Sequence, residues 1–203
     1  MAFLRSVINC KYCSFVFLSK THIMGIITKG QLEGIIESKL GYGNLQGELY
    51  QARKYSQSHY TSSIFLSHSH VDATYVHNAV LFLRKMGVDV YVDWMDDNMP
   101  KHTSGETARL LKEKIKSNDK FVFLATNNSI NSKWCHWEIG YGDAFKYIDK
   151  IALFPLADSG GNWQGTEYLQ IYPFIKASDY TSDFYKVAFP DGKEISLYDW
   201  LKR

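Results

Sequence analysis

The sequence predicts an α/β protein with a doubly wound parallel sheet. From residue 62 onward, short apolar runs alternate with stretches that repeat apolar residues at helical spacing. Strands that alternate with helices need crossover connections, which make the strands parallel and cover both faces of the sheet. The 203 residues allow one main domain, and the content of 45% hydrophobic and 22% charged residues is that of a folded protein.

Five strands and three helices are expected after residue 60. A helix ending before Gly87, a second that begins in a capping box from Thr103 to Glu106, and a third after residue 132 separate the first four strands. The strands are 64–67, 88–93, 120–125, 151–156 and 170–177. The apolar helix positions are Val76, Ala79, Val80 and Leu83, then Ala108, Leu111 and Ile115, then Trp134, Trp137, Tyr141, Ala144, Phe145 and Ile148.

Residues 1–60 are expected to form an N-terminal extension with a helical appendage, and residues 61–203 the domain. The pattern over 31–40 predicts an amphipathic helix that ends at Gly41, and 45–55 predicts a second helix. No strand is predicted after the apolar opening. The first 23 residues are interpreted as a dispensable extension or an overlong start.

Charge and cysteine content exclude several classes of protein. The 23 Lys and Arg balance 21 Asp and Glu, so neither nucleic acid nor a membrane is an expected partner. The chain has no run of 18 apolar residues and no clear secretion signal, which predicts a cytoplasmic protein. Three cysteines make no disulfide framework, and the single pair Cys10 and Cys13 is too few for structural zinc.

Several familiar catalytic motifs are absent or out of context. The sequence has no phosphate-binding P-loop, and the glycines of residues 41–47 follow a helix where a dinucleotide fingerprint follows a strand. Neighbouring Ser and His residues in 67–72 rarely form a catalytic triad, because triad members come from separate segments. His68 and His70 have no third metal ligand at an obvious spacing, so no metal site is predicted.

The function is expected at the carboxyl ends of the strands. Ligands of doubly wound sheets bind there, where the strand order reverses. Three loops meet at this edge: 67–72, 93–105 and 126–132. The third loop leads into the most informative helix.

That helix places Glu138 beside aromatic residues. Residues three and four apart share a helix face, so Glu138 neighbours Trp134, Tyr141 and Gly142, and Phe145 lies two turns further along the same face. Desolvation there raises the pKa of a carboxyl group and strengthens its interaction with a cation. Gly140 and Gly142 suggest close approach of another group. The alternative is a plain core helix whose Glu138 faces solvent, and spacing alone leaves both open.

Three segments together resemble a known family. Residues 64–72 (IFLSHSHVD), 90–93 (VYVD) and 132–138 (SKWCHWE) are similar to the first strand, second strand and third helix of Toll/interleukin-1 receptor (TIR) domains, particularly bacterial ones. The likeness covers about residues 61–178. It implies a flavodoxin-like fold with a five-stranded parallel sheet. The loop 94–105 corresponds to the BB loop, although its sequence is not the compact form of many TIR domains.

The resemblance implies an enzyme that cleaves NAD⁺ at the nicotinamide–ribose bond. Trp134 and Glu138 fit the W-x-x-x-E pattern, in which the glutamate is catalytic. Trp134 and Tyr141 are expected to form walls for nicotinamide riboside. The substrate-binding set is completed by Ser67, His68, Asp93 and Trp94. NAD⁺ is the substrate, and no cofactor or metal is expected.

The product depends on the group that accepts the ribose. Water gives ADP-ribose, an internal acceptor gives a cyclic isomer, and another small molecule gives a base-exchange adduct; the sequence does not choose among them. Similarity to the sensors of Thoeris antiphage systems implies a nucleotide signal for a separate effector, and self-association through the 94–105 loop. The alternatives are a non-catalytic TIR interaction module, a virulence mimic of host signalling, or a receiver domain of the same fold.

Overall fold

The strands form one mixed sheet whose centre is parallel. The computed structural model describes residues 25–40, 62–100, 102, 104–163, 165–178 and 184–203. The strands are β1 (Ile27–Thr28), β2 (Ser63–Ser67), β3 (Asp89–Tyr91), β4 (Lys120–Ala125), β5 (Ile151–Ala157), β6 (Phe174–Ala177), β7 (Tyr185–Ala188) and β8 (Glu194–Ser196). Their order is β3-β2-β4-β5-β6-β7-β8, and β1 pairs with β5.

The predicted five-stranded parallel sheet is confirmed and extended. Neighbours from β3 to β6 run parallel, whereas β7 and β8 add an antiparallel hairpin after β6. The hairpin turn contains Gly192 with a φ of +87°, a conformation that favours glycine. The sequence analysis did not predict this hairpin.

Six helices are described. They are α1 (Lys29–Leu40), α2 (Ala73–Arg84), α3 (Gly105–Ser117), α4 (Asn127–Ile130), α5 (Lys133–Phe145) and α6 (Leu197–Lys202). The capping-box prediction at the start of α3 is wrong by one residue. Ser104 is the N-cap and exchanges hydrogen bonds with Thr107, whereas Glu106 pairs with Arg109; Thr103 lies outside the described residues. In this part of the chain no helix has the length and apolar content needed to cross a membrane.

Alternate residues of the central strands enter two separate cores. In β4, Val122 and Leu124 face the core shared with α1 and α2, and Phe121 and Phe123 face the core shared with α3 and α5. This follows from the two-residue period of a strand. Helices therefore cover both faces of the sheet, as a doubly wound fold requires.

Two strands are shorter than the sequence predicts. The expected strand 88–93 ends at Tyr91, because a 3₁₀ turn begins at Asp93 and its carboxylate accepts a hydrogen bond from the Trp94 amide. The expected strand 170–177 begins only at Phe174. The preceding residues form a 3₁₀ helix, Glu167–Ile171, whose Leu169 is fully buried.

The described part of the N-terminal segment is built into the sheet. Ile27 lies opposite Leu156 of β5, and Leu32 and Ile36 of α1 are buried against α2. Lys29 forms an ion pair of 2.8 Å with Asp158. The prediction of no strand here is therefore wrong. The second predicted helix, 45–55, lies outside the described residues, and the domain boundary near residue 60 stays a prediction.

We expect Leu32→Ala to lower the free energy of unfolding by about 2–5 kcal/mol, because the side chain is fully buried and its removal leaves a cavity. Urea denaturation followed by circular dichroism measures this. The control is Glu37→Ala, an exposed position of the same helix, with an expected change below about 0.5 kcal/mol. Equal effects of the two changes would contradict a structural role for α1.

Candidate active site

The candidate site lies at the point where the strand order reverses. The chain passes from β2 to β3 on one side and then crosses to β4 on the other side of β2. The direction in which strands are added therefore reverses at this place. The loops after these three strands meet at their carboxyl ends. They surround a pocket of about 660 Å³. Its lining residues are His68, Ser69, His70, Val71, Asp93, Trp94, Asp96, Asp97, Met99, Pro100, Thr107, Ser132 and Trp134.

Glu138 is not one of the lining residues, but it is close to them in the fold. Its carboxylate accepts a hydrogen bond of 2.5 Å from the Ser67 hydroxyl, which joins α5 to the last residue of β2. The residue is only 3% exposed, so the alternative of a solvent-facing Glu138 is wrong. One turn earlier on α5, Trp134 lines the pocket. The helix therefore holds Glu138 and the aromatic wall in one rigid element.

Burial raises the pKa of Glu138 to about 8. The negative charge of Asp93 acts in the same direction, whereas the Ser67 hydrogen bond and the charge of His70 oppose the rise. A cation that enters the pocket favours the ionised carboxylate. The protonation state of Glu138 near neutral pH thus depends on what the pocket contains.

Two histidines face the carboxylate of Asp93. His70 Nε2 lies 3.3 Å from one oxygen, and His68 Nε2 lies 3.5 Å from the other. Burial raises the pKa of Asp93, but the hydrogen bond from His70 and the charges of both histidines outweigh it and hold that pKa below its ordinary value. The hydrogen bond to Asp93 raises the pKa of His70. Burial lowers the pKa of His68.

A buried polar network fixes the loop after β2. The Asp72 carboxylate accepts hydrogen bonds from Thr126 Oγ1 at 2.5 Å and from Asn128 Nδ2 at 2.7 Å. In addition, the buried Cys135 thiol donates to the His68 carbonyl oxygen at 3.1 Å, and burial raises the pKa of this thiol to about 12. Sequence reasoning missed these positioning residues. The only signal was Asp72 at the end of the 64–72 segment.

Most of the residues that the sequence analysis placed in the site do come together. Ser67, His68, Asp93, Trp94 and Trp134 all lie in or beside the pocket. The Trp94 ring contacts the His77 ring edge-on, with centroids 4.8 Å apart.

Tyr141, by contrast, lies away from the pocket on an aromatic stripe along α5. It stacks on Trp137 at 5.8 Å and contacts Phe145 at 4.6 Å. The ammonium group of Lys112 of α3 lies 5.3 Å from its ring centroid. Its described contacts are those of a residue that packs α5 against α3.

The two glycines of α5 have different roles. A Cβ at Gly142 would lie 3.0 Å from the Phe121 ring, so the helix can approach β4 closely only without a side chain there. The close approach that the sequence suggested is therefore made by the protein itself. Nothing lies within 4 Å of a Cβ placed on Gly140, and the structure does not explain this glycine.

We expect Glu138→Gln to stabilise the protein at alkaline pH. The pKa of Glu138 in the folded state is about 8 against an ordinary 4.5, so the folded state binds a proton that the unfolded chain has released in this window. Stability conferred by this group therefore falls as the pH rises from about 4.5 to about 8.

Glutamine keeps the shape of the side chain without the charge. The free energy of unfolding of the variant should therefore exceed that of the wild type by a few kcal/mol at pH 9 but not at pH 5. Urea unfolding of both proteins at the two pH values measures this. Asp93 and His70 interact electrostatically with Glu138, so the pH dependence of the difference also contains the response of these two groups to the lost charge. A difference independent of pH would contradict a raised Glu138 pKa.

Comparison with known proteins identifies the family. A curated protein of Bacillus cereus (strain MSX-D12), named probable 3′ cyclic ADP-D-ribose synthase ThsB′, is 36% identical over 131 residues, 63% of this chain and 67% of that protein. A second, the putative cyclic ADP-D-ribose synthase TIR2 of Cytobacillus dafuensis, is 30% identical over 81 residues, 38% of this chain and 21% of that protein. Residues 64–186, more than half of the chain, match the TIR domain family. The chain therefore belongs to the TIR domain family.

Proposed function

We propose that this protein cleaves the nicotinamide–ribose bond of NAD⁺ and forms a cyclic ADP-ribose isomer. The observation that carries the proposal is the buried carboxylate of Glu138, held by Ser67, which directly precedes the pocket residue His68 at the switch point of the sheet. The names of the two relatives support the same reaction class. Family membership supports NAD⁺ as the substrate.

The chemistry needs a negative charge more than a strong acid. Nicotinamide is cationic while bound to ribose and departs as a neutral molecule, so the leaving group needs no proton. The ribose then carries positive charge at C1, as in an oxocarbenium ion. A carboxylate close to this centre stabilises the charge, as the second carboxylate does in glycoside hydrolysis. Glu138 is the group in this role.

Substrate binding activates Glu138 in this proposal. Burial keeps the carboxyl group protonated when the pocket is empty, since its pKa is about 8. The positive nicotinamide ring favours ionisation, so the charge appears when the substrate arrives. Trp94 and Trp134 line the pocket and offer aromatic faces to the cationic ring. His68 and Asp93 complete the wall beside the ribose.

The acceptor determines the product. Attack by water on C1 gives ADP-ribose, whereas attack by a group of the same molecule closes a ring. The names of the two relatives, both cyclic ADP-D-ribose synthases, favour the cyclic product for this chain. We infer that the product is a cytoplasmic nucleotide signal that a separate effector binds, as in antiphage defence, and that catalysis needs no additional cofactor.

We expect Glu138→Gln to lower the rate of nicotinamide release at least about a hundredfold, because it removes the charge that faces the oxocarbenium ion. Mass spectrometry of NAD⁺ incubations measures nicotinamide and identifies the cyclic or linear product. Glu167→Gln, an exposed position, is the matched control and should keep wild-type activity. A folded Glu138→Gln protein with near-normal nicotinamide release would refute the role of Glu138.

We expect Trp134→Ala to lower kcat/KM for NAD⁺ about tenfold or more, because Trp134 forms part of the pocket wall. Trp137→Ala is the matched control. The two rings stack with centroids 5.0 Å apart, so both changes remove the same stacking contact, but only Trp134 lines the pocket. Steady-state kinetics and urea unfolding of both variants separate the two effects. Equal kinetic losses would assign Trp134 to the core.

We also propose that neighbouring protomers associate through the 94–105 loop. Within the described part of this loop, Asp97 and Asn98 are exposed, and Asp96 is held by Lys114 at 2.8 Å and by the Tyr91 hydroxyl at 3.1 Å. The loop is polar and borders the pocket, and long loops of this kind commonly serve as binding loops. A second protomer on this loop would cover the pocket.

Specific activity is therefore expected to rise with protein concentration. Dilution over a hundredfold range should lower the rate per protomer, with a parallel fall in mass by light scattering. The reason is that association would place a second protomer against the loop and the pocket. A strict monomer with constant specific activity would contradict shared assembly of the site and leave Glu138 acting within one chain.

A further inference from the structure

A group of three side chains in the pocket has the composition of a metal site. His68, His70 and Asp93 each bring one ligand atom, and these atoms all lie within 4.8 Å of one another. His68 Nε2 lies 3.5 Å from Asp93 Oδ1, and His70 Nε2 lies 3.3 Å from Oδ2, the other oxygen of the same carboxylate. Ligand atoms about 2.0–2.2 Å from a tetrahedral zinc ion are themselves about 3.4 Å apart.

The hydrogen bond of His68 prepares its ring for a metal. Its Nδ1 lies 3.0 Å from the Leu66 carbonyl oxygen, and since a carbonyl only accepts, Nδ1 carries the hydrogen. In the neutral ring the lone pair is therefore on Nε2. That atom is buried and has no hydrogen-bond partner among the described residues. A backbone carbonyl behind the far nitrogen is the usual second contact of a metal-binding histidine.

Both remaining ligands are also held in place. The Trp94 amide donates to Asp93 Oδ1 at 2.8 Å, which fixes the carboxylate, and His70 begins a 3₁₀ turn that ends at the anchored Asp72. His70 is the most exposed of the three, with 66% of its side chain accessible. An ion can therefore enter from the pocket without unfolding.

We propose that His68, His70 and Asp93 bind one divalent transition-metal ion, with zinc as the best match. Two imidazole nitrogens and one carboxylate oxygen form a ligand set that suits zinc, and the fourth tetrahedral position faces the pocket. Sequence spacing could not predict this site, because the third ligand comes from the loop after a different strand. The inference concerns binding of the ion and does not depend on NAD⁺ cleavage.

The test uses the full chain without an affinity tag, in a Cys10→Ser/Cys13→Ser background. The background removes the C-x2-C pair, which could bind zinc independently. Calorimetric titration with ZnCl₂ is expected to give one ion per chain. Titration with Co²⁺ should produce the visible absorption of a four-coordinate site.

His70→Ala and Asp93→Asn should each weaken zinc binding about tenfold to a hundredfold, which is the size of effect expected for a lost contact around the metal. His102→Ala is the matched control, because this exposed histidine lies outside the cluster and should leave the affinity unchanged. Circular dichroism checks that each variant is folded. Absence of one-to-one binding in the parent protein, or unchanged affinity in both cluster variants, overturns the proposal.

Discussion

The hydrogen bond between Ser67 and Glu138 joins the two elements on which the rest of the site depends. A buried carboxyl group with few partners is costly, and its pKa of about 8 expresses this cost. The fold tolerates it because α5 is fixed on both sides of Glu138: the Cys135 thiol donates to the β2 loop, and Gly142 seats the helix on β4. Stability is thus given up at the one position to which the proposed function assigns the catalytic charge.

The sequence predicted the centre of the sheet better than its borders. Strands β4 and β5 are wholly buried, and continuous apolar runs located them to within a residue. Strand β3 stops early because a 3₁₀ turn begins at Asp93, and β6 starts late because Leu169 is buried in a 3₁₀ helix. A pattern of apolar residues indicates which side chains are buried, and a residue in a turn can be buried as well as a residue in a strand. The short β7 and β8 carried too weak a pattern.

Local motifs pointed to the candidate residues that lie close together in the sequence. The W-x-x-x-E pattern pointed to Trp134, which lines the pocket, and to Glu138, whose catalytic role stays a prediction. Helical spacing alone assigned Tyr141 to the same face, although it packs toward α3. The spacing of residues gives the direction in which a side chain leaves the helix, but it does not show which element of the fold lies in that direction. Local patterns could not predict that Thr126 and Asn128 hold Asp72, because these residues are more than 50 positions away along the chain. Such contacts emerge only from the strand order.

The close packing of Gly142 against Phe121 also limits which residues can replace Gly142 in this protein. A methyl group at position 142 must displace either the ring or the helix by a few tenths of an ångström. Glu138 is one helical turn away on the same rigid element, so a lifted helix would lengthen its contact with Ser67. A smaller residue at 121 would make room for a larger residue at 142 without lifting the helix. In the design of new variants, the residues at positions 121 and 142 should therefore be changed together, so that their combined volume stays the same.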